Sequence, residues 1–143
     1  MNVNIKNPPE YTENITKWDR NTLADGEAMG LVIEQLANNA AYNKAQLERQ
    51  EHVVTVTLTA VGWEAVGDTG LYRQSVLVPG AVEGMELTVV SALADQADMN
   101  TRKAYKKAFG IVAGGTGTLE NGTAVFMVDK KPVTDVVIGL RGV

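Results

Sequence analysis

Between Ala28 and Gln50 the apolar residues form a stripe that the segment cannot bury by itself. Met29, Ile33, Leu36, Ala40, Asn43 and Leu47 follow one another at steps of 4, 3, 4, 3 and 4, the spacing of a helix seam that packs against another helix. In heptad terms Ile33, Ala40 and Leu47 sit at a, and Met29, Leu36 and Asn43 at d. Glu34, Gln35, Asn38, Glu48 and Arg49 fall on outer positions, so the opposite face is expected to be wet. An isolated helix of this length is marginal in water, and its stripe must dock either on the rest of the chain or on copies of itself.

Two residues favour copies. Val32 at g widens the stripe beyond a strict dimer seam, and Asn43 is the kind of seam residue that fixes register and copy number at a cost in stability. The pattern predicts a homotrimer with Met29, Val32, Ile33, Leu36, Ala40, Asn43 and Leu47 as the oligomerisation residues. The e and g positions Gly30, Val32, Ala37, Asn39, Lys44 and Gln46 carry almost no paired charge, which leaves open an amphipathic helix lying on its own domain. Thr22 with Asp25 resembles a capping box, and Glu27 adds negative charge near the helix N-terminus. Gly26 and Gly30 each weaken the first turns by about 1 kcal/mol relative to Ala, so the helix is expected to be firmest from Leu31 onward.

At 143 residues the chain has the size of one domain, or of a small domain with an appendage. Hydrophobic residues at 45% and charged residues at 21% place it among globular proteins and away from disordered ones. A net charge of -4 argues against a nucleic-acid partner, which calls for a basic surface. Cysteine is absent, which removes disulfides, thiolate metal sites and a cysteine nucleophile. The opening MNVNIKNPPEY lacks the apolar run of a signal peptide, and no later run is long enough to span a bilayer. The expectation is a product of the cytoplasm with no membrane partner.

The chain divides into three segments. Residues 1–21 form an extended leader, since Pro8-Pro9 disfavours helix before it, with Ile15 and Trp18 as its anchors. Residues 22–52 form the amphipathic helix, and residues 53–143 a β head. Val53 to Thr59 alternates Thr with Val or Leu, the period of a half-buried strand. Further strands are expected at Leu71–Val78, Met85–Ala92, Ile111–Ala113, Thr118–Glu120, Thr123–Val128 and Asp135–Leu140, with a hairpin turn at Asn121-Gly122. Asn100 to Phe109 has helical spacing, with Gly110 as its stop. The expected fold is mainly β: a small antiparallel β-sandwich of about six or seven strands, carrying an N-terminal coiled-coil-like helical stalk and one short internal helix.

Chemistry is hard to find in this sequence. His52 is the only histidine, so a catalytic triad would have to be built at the junction of helix and first strand. Asp95, Asp98 and Asn100 lack the ligand pattern of a calcium loop, and Asp98 or Asn100 capping the short helix explains the cluster more simply. Gly114-Gly115-Thr116-Gly117 is followed by no Lys-Ser/Thr and reads as turn glycines rather than a phosphate loop. Arg102, Lys103, Lys106 and Lys107 give the short helix a basic face, which by default is a solvated one. Trp63 and Tyr72 are possible ligand contacts, able to stack on a sugar, although aromatics beside strand ends more often fill a core. No catalytic residue, metal or cofactor is expected.

The opening PPEYTENITKWDRNTLADGEAM, with its Tyr11-Thr12-x-x-Ile15-Thr16-x-Trp18 phrase before a helix beginning near Leu23, resembles the leader of structural proteins of tailed bacteriophages and prophages. The second half, VTLTAVGW, LYRQSVLVPGAVEGMELTV and GTLENGTAVFMVDKKPVTDVVIGLRG, is similar to a β module of tail-fibre, baseplate and head-fibre components. The resemblance implies a virion structural protein without enzymatic activity. It would be a homotrimer, made in the bacterial host cytoplasm and partnered by itself, by other virion proteins or by a host surface glycan. The alternative expectation is a monomeric carbohydrate-binding β-sandwich module using Trp63 and Tyr72.

Overall fold

The computed structural model describes residues 2–15 and 26–143. The anchor expected at Trp18, the helix start near Leu23 and the capping box at Thr22 and Asp25 lie outside the described residues. The chain forms two compact units, Met1–Arg49 and Gln50–Val143.

In the first unit the stripe is carried by α1 (Gly26–Glu51), 26 residues long. The leader before it takes neither helix nor strand over residues 2–15.

The second unit begins where helical periodicity gives way to alternation. Its strands are β1 (Val53–Leu58), β2 (Glu64–Ala65), β3 (Tyr72–Leu77), β4 (Thr88–Ser91), β5 (Thr116–Glu120), β6 (Thr123–Val128) and β7 (Val136–Arg141), and its helix is α2 (Met99–Ala113). The strands form two antiparallel sheets, ordered β1-β7-β4 and β2-β3-β6-β5. Period-2 alternation sends Val56 and Leu58 of β1, Ile138 and Leu140 of β7, and Ala124, Phe126 and Val128 of β6 into one shared core. Full burial of each large side chain among them contributes about 1.5–3 kcal/mol.

Helix α2 touches β6 of one sheet and β7 of the other, burying Ala108 and Val112. It opens on Asp98, whose carboxylate accepts from the Thr101 N–H at 2.7 Å. That hydrogen bond holds the Asp98 carboxyl below the usual aspartate range. Tyr105 fastens the helix to the sandwich: its hydroxyl accepts from the Ala92 N–H at 2.9 Å and donates to the Val137 carbonyl at 2.8 Å.

Three details depart from expectation. Gly110 does not stop α2, and Ile111–Ala113 is helix instead of strand. The i, i+4 pair Ala108 and Val112 buries against the core, and this packing overrides the β preference of Ile and Val. Met85–Leu87 is not paired as strand, because Gly84, at φ +85°, turns the backbone there and β4 starts only at Thr88. The two-residue β2 has too little sequence to show a period. The Asn121-Gly122 hairpin joins β5 to β6 with Glu120 opposite Thr123, and Gly122 alone of the pair has positive φ, at +77°.

Candidate functional site

On α1 the described structure separates two faces. Along the heptad stripe Met29 is 41% exposed, Ile33 45%, Leu36 52% and Leu47 59%, and Ala40 and Asn43 are exposed with them. Val32, the seventh expected oligomerisation residue, lies apart from these six and is buried. A helix that exposes so much aliphatic surface along one seam keeps a large hydrophobic contribution unrealised.

The outer face, expected to be wet, is instead partly covered. Asn38 on this face and Asn39 at the g position beside it are the buried polar residues of α1, and they clasp the leader. The Asn38 Oδ1 accepts from the Lys6 N–H at 2.8 Å, while its Nδ2 donates to the Asn4 carbonyl at 3.2 Å and to the Glu34 carbonyl at 2.8 Å. Asn39 pairs with one residue from both sides, accepting from the Thr12 N–H at 2.7 Å and donating to the Thr12 carbonyl at 2.9 Å. Its side-chain amide thus serves Thr12 as a neighbouring strand would. Tyr11 adds a tilted ring contact to Tyr42 at 5.6 Å between centroids.

The energetics explain why asparagine is tolerated in mid-helix. Asn is less favourable than Ala there by up to about 0.7 kcal/mol, whereas each hydrogen bond gained contributes about 0.5–1.5 kcal/mol. The signal in the sequence was the adjacent Asn38-Asn39 pair itself, two poor helix formers inside a long helix. What they hold, 27 to 34 residues away, is beyond any local pattern. Ile15, expected as an anchor, is 37% exposed, and the leader is held by backbone hydrogen bonds instead.

Elsewhere the candidate residues do not converge. Trp63 is 3% exposed and belongs to the core of the head, so its ring is not presented to a sugar. Tyr72 is half-buried, with the Lys131 Nζ 4.9 Å from its ring centroid, a cation–π arrangement that occupies a face of the ring. Arg102 is tied back to the carbonyls of Ala97, at 2.9 Å, and Asp95. Lys103, Lys106 and Lys107 are left exposed. At Gly115 a Cβ would stand 2.3 Å from the Met127 carbonyl oxygen, so this glycine answers to a close backbone approach. Among the described residues, no group of three or more His, Cys, Asp or Glu side chains could hold a metal ion. No described helix is long and apolar enough to cross a membrane.

The geometry therefore offers an exposed apolar seam on one side of α1 and a clasped leader on another. Comparison with protein-family models, curated proteins and solved structures finds no match for this chain.

Proposed function

We propose that this chain is a non-enzymatic structural protein of a tailed-bacteriophage or prophage virion, in the tail-fibre, baseplate or head-fibre group. Three copies pack in parallel through Met29, Ile33, Leu36, Ala40, Asn43 and Leu47, and present three β-sandwich heads to other virion proteins or to a host surface. The observation that carries the assembly reading is the exposure of the whole a/d seam of α1 while the clasped leader occupies a different face. A closed three-fold arrangement buries that seam in all copies at once. The virion assignment rests on the leader and head phrases of the sequence.

Replacing Ile33 with Glu tests the seam. Glutamate keeps helix propensity but would place three like charges together in an apolar interior. Ile33 lies outside the core of the head, so the β signal should persist. Sedimentation should show the Ile33→Glu chain at its monomer mass of 15.3 kDa; an undiminished assembly would contradict the seam.

A further inference from the structure

We propose that in the assembly each leader also bridges to the neighbouring copy, with Glu13 of one chain paired to Lys44 of the next. This inference rests on the parallel helical assembly proposed above. In such a bundle the g position of one helix flanks the e position five residues further along its neighbour, and charged residues at these sites set partner choice and orientation.

Here the g position of the middle heptad is Asn39, an uncharged residue already engaged by Thr12. Glu13 directly follows the clasped Thr12 in the leader and is exposed. Five residues on from Asn39, at e, stands Lys44, whose side chain is 77% exposed and makes an ion pair of 3.7 Å with Glu48 of its own helix. Among the described residues Glu13 has no ion pair. The leader thus supplies the negative charge that the g edge of the helix lacks, and Lys44 is the cation that the e edge offers. At e one turn or more earlier, Ala37 and Gly30 carry almost no side chain, which leaves room beside the seam for the neighbour's leader and its exposed Tyr11 and Ile15.

Within a single chain the helix geometry works against the same pairing. Lys44 stands roughly 140° round the helix from Asn39, the residue that holds the leader at Thr12, and about 7.5 Å along it. A disulfide formed between these two positions would report the approach of a neighbouring leader, because bridged cysteines need Cα atoms within about 7 Å and the native chain has no cysteine of its own.

The experiment oxidises the full-length Glu13→Cys/Lys44→Cys double variant under mild conditions and resolves it on a non-reducing gel. Its mass is measured in parallel under reducing conditions. A trimer mass with covalently linked dimers and trimers is the expected result. A trimer mass with both thiols free sends the test to zero-length carbodiimide coupling of the native chain, whose longer side chains meet at Cα separations that two cysteines cannot span. Absence of an inter-chain Glu13–Lys44 peptide there would overturn the leader bridge and leave the helical assembly standing. A monomer mass in the reduced double variant and in the native chain alike would overturn the assembly itself, and the bridge with it. Should only the double variant be monomeric, the test passes to carbodiimide coupling of the native chain. An inter-chain Glu13–Lys44 peptide is then expected, and its absence would count against the bridge.

Discussion

Asn39 condenses the physical logic of the first unit into one side chain. Its amide satisfies both the N–H and the carbonyl of Thr12, a pairing of the kind that extended backbone finds in a sheet. Replacing it with Ala should have two opposite effects. The helix gains intrinsic propensity, while the leader loses two hydrogen bonds that together contribute about 1–3 kcal/mol. Hydrogen exchange of the Asn39→Ala chain should therefore show faster exchange over residues 2–15 with α1 as protected as before. An unaltered leader would mean that the clasp does not hold it. The clasp was not legible in the sequence, since nothing local links an asparagine pair to a segment some thirty residues upstream. The stripe was legible because Met29, Ile33, Leu36 and Leu47 repeat along a single element.

The elements of the second unit show the same division between local pattern and long-range packing. β1 was readable almost to the residue from alternation, and β6 from the Asn121-Gly122 turn that precedes it. Ile111–Ala113 was misread because β-branched residues look like strand wherever the contact that makes them helical is distant. β7, the central strand of its sheet, carries a further long-range requirement at Gly139. Its inward neighbours Ile138 and Leu140 are fully buried, and Gly139 itself lies between flanking valines of both edge strands. A Cβ there would stand 2.6 Å from the Val90 Cγ2 and 2.7 Å from the Val53 Cγ1, and β-branched side chains yield little at χ1. Gly139→Ala should thus destabilise the head by about 1–3 kcal/mol, seen as a lower thermal midpoint, even though alanine ordinarily suits regular structure better than glycine. A raised or unchanged midpoint would show that Val53 and Val90 can part at no cost.

At the scale of the whole molecule the account turns on how one helix disposes of its surface. The described structure covers part of the c, f and g side of α1 and leaves the a/d seam open, and a marginal helix gains most of its stability from tertiary or quaternary burial of such a seam. In the proposed assembly self-association would supply that burial, and closed cyclic symmetry would limit it to a defined number of copies. The β heads would then be carried in fixed stoichiometry, as the proposed virion role requires. Light scattering on the purified, unmodified chain measures this directly. A mass of about 46 kDa, three times the 15.3 kDa of one chain, is the predicted result for a closed trimer; a mass of 15.3 kDa, holding up to high concentration, would contradict the account at its centre.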